Sequence, residues 1–294
     1  MTGWLFASPW ILGFLLFTVG PMLFSMYTSF TRYNMLSTPK WIGAANYIKA
    51  FQDRFFIISL ENTGWMVLVQ VPLTIGLALL VAVLLERGLP GSGMFRTIVF
   101  LPTVLGGVAS IFLWRWILAP NGLLNSGLAE LGIGGPSWFS NASWTKPGLV
   151  IMSLWFIGVN VIIFLAGLRG IDTTLYDAAE IDGAGPLARV WHITLPLLSP
   201  TTFFLTITSV IGVFQIFTTA FIITSTSDTV GGPKHSMLFY VLYLYKRAFG
   251  QDVGPGGFEM GYAAALAWIL FIIILLITAL QLLLARRWVH YESS

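Results

Sequence analysis

Apolar residues run in six blocks along the chain, each closed by a short polar or charged stretch. A helix needs roughly 20 such residues to cross a hydrocarbon core. Five blocks reach that length: Trp10 to Phe30, the charge-free window between Glu61 and Glu86 (62–85), Pro147 to Leu168, Ser199 to Thr224, and Met260 to Ala285. The block from Thr97 to Leu118 does so with one charge, Arg115, inside it. Lipid offers no partner to an unpaired peptide group, so all six are predicted as helices. The fold class is an all-α polytopic membrane protein of about six spans, with residues 1–294 as one transmembrane domain. A seventh apolar stretch, Ser236 to Tyr245, is too short to span and reads as interfacial or re-entrant. Pro21, Pro72 and Pro102 fall inside the first three spans, where packing against neighbouring helices tolerates kinks.

Composition sharpens this picture. The chain is 56% hydrophobic and 9% charged, against about 25% charged for a soluble domain, which excludes a soluble enzyme or a nucleic-acid binder. The first 31 residues carry no charged side chain. They lack the basic start of a secretory signal and run on too long for one, so they read as a retained span. With no Cys, there is no disulfide, thiolate metal site or cysteine nucleophile. Charge does not orient the chain. With both termini on one side, that side carries six Arg (Arg87, Arg96, Arg169, Arg189, Arg286, Arg287). The opposite side carries eight Lys and Arg, so the positive-inside rule is silent or faintly contrary.

Several chemistries are missing. There is no GxxxxGK[ST] phosphate loop, no HExxH and no GxSxG elbow. His192, His235 and His290 are far apart in sequence. No acid lies within a span, although ion-coupled carriers usually place one there. Arg115, between Trp114 and Trp116, reads as a cation snorkelling to the interface. These absences leave a membrane conduit without its own energy source, and weigh against a stand-alone carrier or a membrane-embedded enzyme.

Charge gathers instead between the fourth and fifth spans, where Asp172, Asp177, Glu180 and Asp182 fall within eleven residues. Thr174 and Asp177 fit a helix N-terminal box, and Leu175, Ala178, Ala179 and Ile181 recur at helical spacing. Gly183 breaks the helix, a turn there favouring positive φ. Pro186 can start a second helix carrying Leu187, Val190 and Trp191. Pro196 and Pro200 lead into the fifth span. Membrane-surface helices are usually basic, whereas this one is acidic with an alanine face, which suits a protein groove better than lipid.

The run Asp177-Ala178-Ala179, Asp182-Gly183-Ala184, Ile193, Leu195 and Pro196 resembles the EAA loop of bacterial ABC importer permeases (172–196). Asp177 stands where the family usually has Glu, keeping the charge with one methylene less reach. The first span (SPWILGFLLFTVGPMLFSMYTSFTRYN), WIGAANYIKAFQD, FRTIVFLPTVLGGVASIFLWRWIL and GGPKHSMLFYVLYLYKRAF also resemble carbohydrate-type members of that superfamily. The last is typical of the MalF-like (UgpA-like) half of a permease pair.

The resemblance implies a permease subunit importing a sugar or oligosaccharide by alternating access. A second, MalG-like permease would complete the pore. Two ATPase subunits would bind ATP and Mg, with none bound by this chain. An extracytoplasmic solute-binding protein would deliver substrate at the bacterial or archaeal inner membrane. Both termini and the loop would be cytoplasmic. Leu175, Asp177, Ala178, Ala179, Glu180, Asp182, Gly183 and Ala184 would form the coupling helix and its turn. Family substrate positions fall on Thr103 and Gly107, on Ser153, Phe156, Ile157 and Asn160, and on Gly212, Val213 and Ile216. They depart from the maltose set, which argues against maltose itself. Trp155, Asn160 and Gln215 could meet a sugar's hydroxyls or C–H face, or serve helix packing. A glycerol phosphate is the alternative cargo, but none of these positions supplies a cation.

Overall fold

The computed structural model of the chain describes residues 2–86, 91–250 and 257–287. Arg87 and His290 lie outside them. The fold is almost wholly helical, with one short strand pair. The first span (Ala7–Ser29) joins α1 (Thr2–Phe14) to α2 (Gly20–Ser29) through a π turn at Leu15–Val19. Strands β1 (Thr31–Arg32) and β2 (Lys40–Trp41) pair antiparallel, Thr31 opposite Trp41. Then come α3 (Ala45–Gln52), the 33-residue α4 (Arg54–Glu86), α5 (Ser92–Val104), α6 (Val108–Ile117) and α7 (Leu123–Glu130). The fourth block folds as α8 (Ala142–Leu154) and α9 (Gly158–Arg169). The charged loop holds α10 (Thr173–Ile181), α11 (Pro186–Arg189), a second π turn at Val190–Thr194 and α12 (Leu195–Leu197). The chain continues through α13 (Ser199–Phe214), α14 (Thr218–Thr224), α15 (Tyr240–Ala248) and α16 (Met260–Ala285).

Among the described residues four spans are long and apolar enough alone: Ala7–Ser29, Arg54–Glu86, Ser199–Thr224 and Met260–Ala285. The other two predicted spans are bent pairs, so the expected count of about six is reached with each pair taken as one span. The α5–α6 pair turns through 107° and the α8–α9 pair through 50°. The physical cause at the first break is local. Gly107 sits at φ +89, a conformation with a steric penalty for any residue carrying a Cβ, while Pro102 rides inside α5, which runs on to Val104. Ser110 Oγ donates to the freed Leu105 carbonyl at 2.6 Å. At the second break, a Cβ on Gly158 would come within 2.6 Å of the Val99 carbonyl. Glycine therefore lets α9 lie against the backbone of α5.

Both π turns precede a proline. Gly20 N–H reaches back five residues to Leu15 O before Pro21, and Leu195 N–H reaches Val190 O before Pro196. The wider turn absorbs the register shift that a missing N–H and a bulky ring force on a helix. Pro72, by contrast, rides inside an unbroken α4.

Helix α4 is the central post, with α8, α9, α13 and α15 all packed on it. It begins at Arg54, about two turns before the charge-free window, so Glu61 sits on the helix rather than at its start. The stretch Ser236–Tyr245 is among the most buried parts of the molecule. Met237, Leu238, Phe239, Tyr240, Leu242 and Tyr243 are all at most 1% exposed, so it is no lipid-facing segment. Polar groups of α4 hold it there. Asn62 Nδ2 donates to His235 O (2.7 Å) and Leu238 O (3.1 Å), and Thr63 Oγ1 accepts from Tyr240 N–H (3.0 Å). Tyr240 OH then donates to Leu266 O on α16 at 2.8 Å. Asn46 similarly fastens the WIGAANY segment, donating to Ser29 O and Thr31 O at 2.8 and 2.9 Å.

At the N-terminal end of α4 an ionic cluster ties four helices. Arg247 pairs with Asp53 (2.7 Å) and Glu259 (3.2 Å), and Lys49 pairs with Glu259. Tyr243 and Tyr262 both donate to Asp53 Oδ2. Burial alone would raise the Asp53 carboxyl, but the Tyr243 hydrogen bond, the Arg247 charge and the Phe55 N–H outweigh it and hold the group below the usual aspartate range. A carboxyl that binds its proton more weakly when folded stabilises the fold fully above its unfolded pKa of about 3.9. That contribution fades as pH falls through the lower folded value. Thermal unfolding of the purified chain in detergent should show this acid limb. Asp53→Asn should flatten it and cost about 1.5–3 kcal/mol at neutral pH.

Candidate functional site

Two features sit on the α4 scaffold: the charged loop at its C-terminal end and a cavity beside its middle.

The loop's first helix is capped by Asp172, whose carboxylate accepts from Thr174 N–H at 2.9 Å. That bond and the Thr174 hydroxyl hold the Asp172 carboxyl below its usual range. The expected Thr174 cap is thus displaced by two residues, because Asp172 has the extended backbone a cap requires and Thr174 is already helical. The helix ends in a Schellman turn. Gly183 N–H reaches Glu180 O (3.0 Å), Ala184 N–H reaches Ala179 O (2.8 Å), and Gly183 takes the left-handed position at φ +79. Gly185 and Pro186 start α11 as expected.

The loop folds back on itself. Glu180 pairs with Arg189 at 2.8 Å, and Tyr176 OH and Thr194 Oγ1 meet at 3.0 Å. Asp177, Ala178, Asp182 and Gly183 face outward, while Ala179 and Ala184 are half-buried. Around them stand bare apolar side chains: Leu175, Ile181 (87% exposed), Leu187 (72%) and Trp191 (63%). Exposed leucine or tryptophan is unremarkable singly, but four on one acidic knuckle make a face with both apolar and charged contacts to offer.

The cavity, of about 280 Å³, lies where two helices are interrupted. The α8–α9 break contributes Phe156, and the α13–α14 break contributes Ile216. Irregular backbone at membrane depth is tolerated where it is buried in protein or lines a cavity. Met66, Leu149 and Met152 supply the rest of the apolar wall, and Gln70, Thr74, Ser153 and Thr219 the polar groups. Gln70 Oε1 and Thr74 Oγ1 are buried with no hydrogen-bond partner. No charged side chain lines the space.

Of the substrate positions read from the sequence, Ser153, Phe156 and Ile216 converge on this cavity. Ile157 and Val213 are packed in the core, and Asn160 is half-buried away from the lining. Gly212 and Gln215 are exposed. Thr103 donates to its own helix at Phe100 O, and Gly107 marks the α5–α6 bend. Trp155 stands edge-on to Trp114 at 5.3 Å, and the buried Trp114 Nε1 has no acceptor. Arg115 is partly buried and its guanidinium is tied to Ile222 O and Thr226 Oγ1 (3.4 and 3.1 Å), linking α6 to the end of α14. Sequence reading missed Gln70, Thr74 and Thr219. A signal existed for two of them, since Gln70 and Thr74 are spaced one turn apart in the otherwise apolar stretch 64–85 of α4.

Comparison with known proteins bears on what such a scaffold is. The family model described as "binding-protein-dependent transport system inner membrane component" matches residues 74–290. A probable ABC transporter permease protein, YesP, of Bacillus subtilis (strain 168) is 41% identical over 100% of this chain and 93% of its own length. The lactose transport system permease protein LacF of Rhizobium radiobacter is 34% identical, covering 98% of this chain and 95% of its own. A bacterial alginate ABC transporter, solved in complex with an alginate pentasaccharide-bound periplasmic protein, has a chain of the same fold. Its TM-score is 0.78 at 22% identity, over 97% of this chain and 93% of that one. With its bent spans, central post and folded-back loop, this chain belongs to the inner-membrane permease components of binding-protein-dependent transport systems.

Proposed function

We propose that this permease passes a sugar or oligosaccharide through a pore shared with a second permease subunit. The cavity on α4 is its half of the sugar path. The observation that carries this reading is the uncharged lining with two orphaned buried oxygens. A buried oxygen without a partner costs about 1–3 kcal/mol, a cost that a hydroxyl-bearing ligand would relieve. The face of Phe156 suits the apolar side of a sugar ring. A glycerol phosphate would call for Arg or Lys, and the lining has neither.

Energy would enter at the knuckle. Two ATPase subunits would carry ATP and Mg, and one would seat Ile181, Leu187 and Trp191 in an apolar cleft beside Asp177 and Asp182. Leu175, Ala178 and Ala179 would let the α10 face approach closely, and Glu180 would brace the turn through Arg189. That places the loop and both termini in the cytoplasm and the Asp53–Arg247 cluster at the outer face, where a solute-binding protein would deliver the sugar. Nucleotide binding would favour one pore state through its differing affinity for the two.

The test is co-expression with candidate partner permease and ATPase subunits, then ATPase assay with the binding protein loaded with disaccharides or with glycerol 3-phosphate. Faster hydrolysis with a loaded sugar is expected. Stimulation by glycerol 3-phosphate alone, or failure of any ATPase to co-purify, would overturn the reading.

Two variants divide the roles. Gln70→Leu removes an unsatisfied oxygen, so it should unfold no more readily than the parent, and be up to about 1–3 kcal/mol more stable, while uptake falls. Uptake at the parent rate would take Gln70 out of the sugar path. At Gly183 a Cβ would meet open space, so only the positive φ is penalised, by about 1–2 kcal/mol. Gly183→Val should therefore still fold but lose coupling of hydrolysis to uptake, and Gly183→Asn, which tolerates that φ, should keep most of it. Equal coupling in both would leave Gly183 a helix cap and nothing more.

A further inference from the structure

We propose that the groove between α5 and α9 holds an anionic phospholipid, its phosphate on Arg96 and Arg169 and one acyl chain along the apolar wall. The groove has a volume of about 260 Å³ and is walled by Val99, Gly158, Val161, Ile162, Leu165 and Ala166. The two arginines stand together at its coupling-loop end. Helix α5 has no buried residue at all, and Met94, Phe95, Ile98 and Leu101 beside the groove are at least half exposed. This face of the isolated chain is open to whatever surrounds it.

Charge at the mouth is unbalanced. Glu86 is the one carboxylate paired with these arginines among the described residues, at 3.9 Å from Arg96 and 3.6 Å from Arg169. Two cations therefore share one anion through long contacts, and Arg96 Nε has no acceptor. Of the acids in the adjoining loop, Glu180 is already held by Arg189 at 2.8 Å and Asp172 caps α10 through Thr174 N–H at 2.9 Å. A guanidinium with donors to spare binds a phosphate well, because its planar fork matches the oxygen geometry. Basic pockets between spans at one membrane face are where anionic head groups bind.

Length argues for a lipid rather than a free ion. From Arg169 back to Gly158 the wall rises roughly 16 Å along α9, about half the ~30 Å hydrocarbon core, which is the depth of one leaflet. A phosphate ion would use the mouth and leave this wall bare. On α9, Ile162, Ala166 and Arg169 recur at i, i+4 and i+7 and are all exposed, so apolar wall and charged end are one continuous stripe.

The test uses the chain assembled with its partner subunits, in bilayer discs of phosphatidylcholine with or without phosphatidylglycerol. Native mass spectrometry reads retained lipid, and thermal unfolding reads stabilisation. Phosphatidylglycerol should be retained and raise the unfolding temperature. Arg96→Gln and Arg169→Gln should each weaken retention about fivefold, and Glu86→Gln, which removes the competing anion, should strengthen it. Ile162→Trp, which fills the wall without changing charge, should also displace the lipid. It guards against an arginine variant that fails to fold. Unchanged retention in the arginine variants would overturn the proposal and give the groove to the partner permease. Equal stabilisation by inorganic phosphate in phosphatidylcholine discs would overturn it in favour of a simple ion site. Neither outcome touches the sugar reading, which rests on a different cavity.

Discussion

In hydrocarbon a peptide N–H or C=O left unpaired costs several kcal/mol, and two of this chain's departures from straight helix are built around a substitute side-chain partner. The Leu105 carbonyl freed at the sharpest bend is taken by Ser110. The carbonyls of His235 and Leu238, in a loop that makes no regular helix, are both taken by Asn62. The π turns at Leu15–Val19 and Val190–Thr194 shift register where prolines remove donors. Helix α4 matters most because it supplies side-chain partners as well as its own closed ladder.

That constraint also explains where a cavity can form. The lining of the α4 cavity takes in Phe156 and Ile216 from two helix interruptions, places where backbone already departs from the ladder. The same space leaves Gln70 and Thr74 oxygens unmatched. A protein that existed only to be stable would have filled those positions with carbon. The cost is tolerable because the N-terminal end of α4 is fastened elsewhere, by the Asp53–Arg247–Glu259 cluster.

The loop between α9 and α13 solves the opposite problem. It lies at the membrane's edge, keeps its own hydrogen bonds through the Asp172 cap and the Gly183 turn, and leaves Ile181, Leu187 and Trp191 bare. Its internal ties, Glu180 to Arg189 and Tyr176 to Thr194, make it a preformed knuckle rather than a floppy link. A rigid knuckle can pass on a push, because little of it is lost in local rearrangement.

The sequence by itself determined the number and rough limits of the apolar blocks, the helix–turn–helix of the charged loop and the positive φ at Gly183. Apolar length, acid clustering and glycine sterics act locally, so they are visible in order along the chain. Met260–Ala285 came out at its predicted limits for that reason. Tertiary structure alone decided that the third block bends by 107°, that Ser236–Tyr245 is interior, and that Arg115 is tied to α14. The last two depend on partners far away in sequence, Asn62 for the buried loop and Ile222 and Thr226 for Arg115, while the bend turns on the local backbone at Gly107. The cavity was half legible. Ser153, Phe156 and Ile216 lay on spans already suspected, while Gln70 and Thr74 gained meaning only when α8 and the α13–α14 break closed around α4 and left their oxygens without partners.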